Sequence, residues 1–293
     1  MGKLDRFALG LTPDRYFEEI YELTIDPSTG SPDYSSKQEV LNRIEKQKSL
    51  RKYAVPGQSL ATPWYTIGPN NEAGRTRAAI FDLADGPDYD RVIAGGVSGG
   101  LWENTKISDE NQPWSRIEGV TGNLAVSVIV QDEDNHAIMY AGTGESYTSG
   151  DASGNGIYKS TNGGTDWILV FGNNTQTATQ TTNEDVDGYF YINDIVLYDH
   201  DQNSATPNHI FAALGSSGHS KMNNVYLDTF VYGLYKSIDS GLTWSRIDDI
   251  LSPDGLSLDH INDLEVQTVS NRLWMSSTRN IYGEPGGSFW YSD

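Results

Sequence analysis

After Pro63 the apolar side chains come in short β-branched and aromatic runs, each bounded by Gly, Asn, Asp or Pro. That texture predicts many short strands. The first sixty residues follow a different rhythm. Thr12 is placed to cap a helix with Pro13 at its first position, and Tyr16, Phe17, Ile20, Tyr21 and Leu23 follow at helical spacing. A second helix is expected from about Ser36 to Tyr53, with Val40, Leu41, Ile44 and Leu50 on one side. Lys46, Lys48, Arg51 and Lys52 near its end suit the negative end of the helix dipole. Residues 1–60 are therefore expected to be a helical lead-in, as a packing segment or as a basic docking helix.

The strand-rich part repeats. A first run recurs at Arg77–Asp82, Ala125–Gln131, Ile192–Asp199 and Ile261–Thr268. A second follows each, at Arg91–Gly95, Ala137–Gly142, His209–Ala213 and Arg272–Ser276. A third begins at Gly100, Gly156, Gly233 and Ser288, and a fourth begins with Trp114, Trp167 and Trp244. Four strands in each unit of about 55 residues is the organisation of a β-propeller, whose radial sheets leave only short edges. The expected fold is all-β: residues 61–293 form a propeller of four-stranded antiparallel blades. About four blades are visible.

Between third and fourth runs lies a tighter signal. Ser160 to Trp167 and Ser237 to Trp244 both fit S-x-[DN]-x-G-x-x-W. Ser and Asp or Asn side chains accept hydrogen bonds from backbone donors inside a turn. Gly supplies a positive φ, and the Trp is left to pack between blades. Ser160, Asn162, Gly164, Trp167, Ser237, Asp239, Gly241 and Trp244 are accordingly expected to be structural. The first unit keeps Trp114 and loses the Gly.

These turns resemble the Asp-box, or bacterial neuraminidase repeat, of sialidases, sortilin-like propellers and xyloglucanase-type glycosidases. Trp64 to Pro69, Gly74 to Arg77, Gly95 to Trp102, Ala141 to Glu145 and Gly154 to Ser160 sharpen the likeness. They look like a group of large secreted Bacteroidota-type propellers, many exported by type IX secretion. The resemblance covers roughly 64–293. It implies an extracellular or cell-surface location, a signal peptide removed before this numbering, and further modules beyond the propeller. Aligning Ser288–Asp293 with Gly233–Ile238 stops the chain inside a turn, so part of a seven- or eight-bladed ring is expected. The alternative is a closed four-bladed ring, in which Pro63–Ile67 supplies the last outer strand.

Charge narrows the partners. The chain carries 20 Lys and Arg against 40 Asp and Glu, a net charge of −20. Residues 1–60 are neutral, so the acidity belongs to 61–293. Nucleic acid, which needs clustered cations, is not an expected partner. No apolar run approaches the ~18 residues that span a bilayer, so membrane insertion is not expected either. The chain has no Cys, which excludes disulfides, iron–sulfur sites and a thiol nucleophile.

The site residues remain. In the xyloglucan-cleaving relatives an Asp precedes the Gly-Gly of the first blade's inner motif; here Val97 and Ser98 stand there, and neither is a general acid or base. Glu145 ends a second run and opens a polar loop with Tyr147 and Asp151. Over an axial mouth this group could bind sugar or Ca²⁺. The other reading has Glu145 buried and pinned by backbone amides or by an Arg such as Arg75. Arg75 and Arg77 are the remaining ligand-binding candidates. Asp132 to Asn135, Asp248, Asp249 and Asp254 are expected to be solvated turns, and the five His show no metal-ligand pairing. Two long insertions, 173–188 and 215–230, are expected to be exposed. The function expected is a secreted or cell-surface binding module for polysaccharide or a surface protein, with contact to secretion machinery. No cofactor is expected except possible recruitment of Ca²⁺. The alternative is a glycoside hydrolase working through axial carboxylates.

Overall fold

The computed structural model describes residues 25–26, 28, 31–32, 40, 43–44, 46–47, 75–120, 125–145, 154–172, 190–198, 209–215, 233–247, 261–267, 272–277 and 288–292. Of the lead-in, β1 (Ile25–Asp26) pairs antiparallel with β2 (Ser31–Pro32). Val40, Arg43, Ile44, Lys46 and Gln47 have helical backbone, within the second helix expected there. The first expected helix and the strand at 63–67 lie outside the described residues.

The remainder is all-β and built as propeller blades. Blade one is β3 (Thr76–Phe81), β4 (Val92–Gly96), β5 (Gly100–Asn104) and β6 (Ser115–Ile117). Blade two is β7 (Val126–Gln131), β8 (Met139–Thr143), β9 (Gly156–Ser160) and β10 (Ile168–Gly172). Blade three is β11 (Ile192–Tyr198), β12 (His209–Leu214), β13 (Gly233–Ser237) and the two-residue β14 (Ser245–Arg246). Blade four has three strands among the described residues: β15 (Ile261–Gln267), β16 (Arg272–Ser277) and β17 (Ser288–Ser292). Within each sheet the strands pair antiparallel in chain order. All four third strands begin where the sequence places them.

The first strands of successive blades, β3, β7, β11 and β15, pack side by side. Three apolar cores fill the three junctions. Ile93, Leu101, Val126, Met139 and Trp167 join blades one and two. Tyr140, Ile157, Phe171, Ile192, Tyr235 and Trp244 join two and three, and Ala213, Leu234, Ile261 and Leu264 join three and four. Each first strand carries a β-bulge at the same place, at Arg77, Ser127, Asn193 and Asn262. Ser127 Oγ donates from its bulge to the Ile192 carbonyl of the next blade. Asn193 Nδ2 donates likewise to the Ile261 carbonyl, at 2.7 Å. The bulge thus aims a polar side chain across the junction.

The two Ser-to-Trp turns are built alike. Ser160 Oγ accepts from the Gly164 amide at 2.9 Å, and Ser237 Oγ from the Gly241 amide at 2.8 Å. Asn162 Oδ1 accepts from the Asp166 amide and Asp239 Oδ1 from the Thr243 amide. Each indole donates to the carbonyl of the turn glycine, at 2.9 and 3.1 Å. Gly164 and Gly241 have φ of 82° and 88°, the region that side-chain-bearing residues avoid. Burial pushes the Asp239 carboxyl up, but hydrogen bonds from Thr243, Ser237 and the Leu242 amide outweigh it and hold it below the ordinary value. Trp114, in the unit that lost the turn Gly, does not pack as the other two tryptophans do. Trp167 and Trp244 are 5% and 0% exposed, and Trp114 is 42% exposed. The first two lie against a preceding blade, and no described residue stands in that place before blade one.

Candidate functional site at the loop-rich end

Antiparallel order puts the starts of first and third strands, and the ends of second and fourth strands, at one end of every blade. The connections at that end include 97–99, 144–155, 173–191 and 215–232. The long insertions fall on these connections, and the expectation that they are exposed lies outside the described residues, which omit 173–189 and 216–232. Arg75 precedes β3 and Glu145 follows β8, so both belong to this end, on adjacent blades.

The structure brings these two together. Arg75 Nη2 donates to Glu145 Oε2, with the Glu145 side chain 4% and the Arg75 side chain 54% exposed. The backbone holds both ends in place. The Val97 amide donates to the Arg75 carbonyl at 3.0 Å, and the Gly144 amide donates to the Ala125 carbonyl at 2.7 Å. One residue before Gly144, Thr143 Oγ1 accepts from the amides of Asn155 and Gly156 and donates to the Gly156 carbonyl. This ties down both ends of the loop that holds Tyr147 and Asp151. The result is a buried carboxylate holding a half-exposed guanidinium. Such a group offers planar, charge-assisted donors to a polar ligand. Arg77 is exposed on the bulge of β3, two residues along the same strand. Tyr147 and Asp151 lie outside the described residues.

A second pair of acids was not singled out from the sequence. Asp194, one residue after the bulge of β11, accepts from its neighbour Ile195's amide at 2.8 Å and from the Leu264 amide of blade four at 2.7 Å. Burial pushes its carboxyl up to about 6, the two amides oppose the shift, and the charge and hydrogen bond of Asp263 add to it. Both acids lie inside runs that read as ordinary strand, INDIVLYD and INDLEVQT. The repeated Ile-Asn-Asp at matching strand positions was the available signal.

The weaker candidates have structural roles. In the turn from Asp132 to Asn135, Glu133 and Asp134 are exposed, while Asp132 is 5% exposed and its Oδ1 accepts from the amides of Asp134 and Asn135. The Glu133 carbonyl lies 3.0 Å from His136 Nε2, and His209 lies between Tyr198 and Phe211, tilted to the first ring and edge-on to the second. His200, His219, His260, Asp248, Asp249 and Asp254 lie outside the described residues. Among the described residues no three His, Asp or Glu gather where they could hold a metal ion. No helix among them is long and apolar enough to cross a membrane.

No family model matches the chain, and no curated protein matches it. Solved propeller-type structures do resemble it. A GH74 enzyme from Niastella koreensis is 17% identical over 74% of this chain and 28% of its own, with a TM-score of 0.44. An ancestral GH74 enzyme is 15% identical over 75% and 27%, with a TM-score of 0.47. The extracellular domain of a putative one-component system from B. thetaiotaomicron is 14% identical over 73% and 21%, with a TM-score of 0.40. This chain thus spans under a third of the length of each. At such identities and scores the functional argument rests on this chain's own residues.

Proposed function

We propose that the chain is a secreted or cell-surface propeller that binds carbohydrate or a surface partner over its loop-rich end, as cargo of type IX secretion. The observation that carries this reading is the Arg75–Glu145 pair. The one acid singled out at the mouth is occupied by an ion pair, while its partner faces solvent with donors for a sugar or peptide oxygen. The Ser-to-Trp turns add the Asp-box likeness, and Ca²⁺ is the ion that the polar loop with Asp151 would recruit.

A hydrolase acting through axial carboxylates is the second reading, and Asp194 favours it, because a carboxyl titrating near 6 suits a general acid. Against it, the Asp194 carboxylate already accepts from two backbone amides, those of Ile195 and Leu264.

The test is a polysaccharide array probed with purified protein, with and without Ca²⁺, scoring retention separately from release of reducing ends. Retention without release is expected, and Arg75→Ala should weaken it. Release of reducing ends that Asp194→Asn abolishes would establish the second reading instead.

A further inference from the structure

The two Ser-to-Trp turns part company at one side-chain atom. Asn162 and Asp239 hold the same turn position. In each, Oδ1 accepts from the Ser hydroxyl two residues back and from the backbone amide four residues on. The second atom of the fork meets opposite partners. In blade three Asp239 Oδ2 accepts from the Thr243 hydroxyl at 2.5 Å. In blade two Asp166 stands in the place of Thr243, and its Oδ2 accepts from Asn162 Nδ2 at 2.7 Å. The blade-two turn therefore needs a donor at 162. A carboxylate there would set two like charges at hydrogen-bond distance.

Asn162 is also followed by glycine. An asparagine Cγ is open to attack by the backbone nitrogen of the next residue, and glycine leaves that approach unhindered. Asn-Gly occurs twice in this sequence, at Asn155-Gly156 and at Asn162-Gly163. The fold treats the two differently. Asn155 is 8% exposed, and the Gly156 amide donates to the buried Thr143 hydroxyl at 3.0 Å. A Cβ at Gly156 would meet the Phe171 carbonyl oxygen at 1.8 Å, so backbone is packed on backbone there. Asn162 is exposed, and the first atom a Cβ at Gly163 would meet is Arg91 Nη1, 3.9 Å away. The Gly163 amide donates to the Ala137 carbonyl at 2.9 Å, so a local opening of that one hydrogen bond releases the nucleophile.

We infer that Asn162 is a site of covalent modification, converted to aspartate or isoaspartate through the Gly163 nitrogen, and that Asp166 makes the product incompatible with the turn. The Gly163 nitrogen gives its proton to solvent and bonds to Asn162 Cγ. The Cγ–Nδ2 bond then breaks, ammonia leaves, and a cyclic imide remains. Water opens the ring at either carbonyl, one giving aspartate and the other isoaspartate. One water is consumed and one ammonia released, with no change of oxidation state. Aspartate puts an anionic oxygen where Nδ2 faced Asp166. Isoaspartate routes the main chain through the side chain and removes the Oδ1 acceptor as well. The damage reaches the junction between blades one and two, because the Gly163 carbonyl takes Arg91 and the Gly164 carbonyl takes the Trp167 indole.

Ageing of the full chain at mildly alkaline pH, followed by peptide mass mapping and enzymatic methylation of isoaspartate, tests this. The mass gain of amide-to-acid exchange is expected to build up several-fold faster at Asn162 than at Asn155. Gly163→Ser should slow it several-fold although it strains the turn, whereas a turn that only opened more often would react faster. Asn162→Asp, the aspartate product made genetically, should lower the melt by about 2 °C or more. In an Asp166→Thr background, which supplies the partner found in blade three, the same change should cost less. No build-up at Asn162, equal rates at the two asparagines, or a faster reaction in Gly163→Ser overturns the site. A cost of Asn162→Asp that is the same with and without Asp166 overturns the part given to Asp166.

Discussion

The junction between blades one and two and the junction between blades two and three do the same work with different chemistry. In both, the preceding blade must hold the carbonyl just before the turn glycine, at Gly163 and at Ser240. Blade one uses a charged network. Arg91 donates to the Gly163 carbonyl while its other contacts go to Asp82 at 2.6 Å and Glu103 at 2.9 Å. Asp82 is nine-tenths buried and also accepts from Gln131 of blade two. Burial pushes its carboxyl up, but the hydrogen bonds and the Arg91 charge hold it below the ordinary value. Blade two uses an aromatic and a single amine. Tyr140 Oη and Lys159 Nζ both donate to the Ser240 carbonyl, at 2.9 and 2.8 Å, with Lys159 over the Tyr140 ring. Burial lowers the Lys159 ammonium, partly countered by Asp239. Behind them Phe171 packs on Tyr235 and Trp244 with centroids 5.0 and 5.3 Å apart. A blade junction therefore fixes the turn carbonyl and the burial of the Trp, and leaves the rest of the chemistry free to change.

The largest expected effect tests the second of those constraints. Trp244→Ala should destabilise the protein by about 3–5 kcal/mol, because it empties a fully buried aromatic site. Trp167→Ala, in a more aliphatic core, should fall at the lower end of that range. Trp114→Ala should cost under about 1 kcal/mol, as an exposed substitution does. Urea unfolding of the three variants gives the order directly. Equal losses at all three positions would mean that blade one is covered in solution by something the structure does not contain.

That series also shows what the sequence could carry. The starts of the third strands are legible because a Gly or Ser is followed by an apolar–aromatic pair in each unit, Leu101-Trp102, Ile157-Tyr158, Leu234-Tyr235 and Phe289-Trp290. The indoles are legible as strand starts, but not their burial, since that depends on a neighbouring blade and not on local pattern. Glu145 and Arg75 are separated by seventy residues, and only the side-by-side packing of β3 and β7 makes them partners. The bulges are hard to read in sequence because one position carries three residue types, Arg77, Ser127 and then Asn at 193 and 262. Asp194 was hidden because nothing local in the run from Ile192 to Tyr198 announces its burial, which depends on the Leu264 amide of the next blade.

The third junction sharpens the comparison through pH. Unlike Asp82, Asp194 binds its proton more tightly folded than unfolded, so its contribution to stability is full below about pH 4. It is lost as pH rises through about 6. The change amounts to at most about 3 kcal/mol, since each tenfold gain in proton affinity on folding is worth about 1.4 kcal/mol. Asp194→Asn should flatten that decline between pH 4 and 6. Urea midpoints across the range decide it, and an unchanged slope would trace the dependence to another group.

The smallest effect concerns the two turns themselves. The residue before the turn glycine has φ of 68° at Gly163 and 58° at Ser240. Glycine occupies this conformation freely, whereas a side chain pays roughly 1 kcal/mol for it. The Ser240 main chain must nevertheless hold the angle, because its carbonyl takes the hydrogen bonds from Tyr140 and Lys159. Ser240→Gly keeps that carbonyl and removes the strain, at the cost of a more flexible unfolded chain. A net gain of a few tenths of a kcal/mol is expected, and Gly163→Ser should lose a similar amount. Thermal melts of the pair measure both signs at once. If Ser240→Gly destabilises instead, the Ser240 side chain, and not only its carbonyl, belongs to the junction.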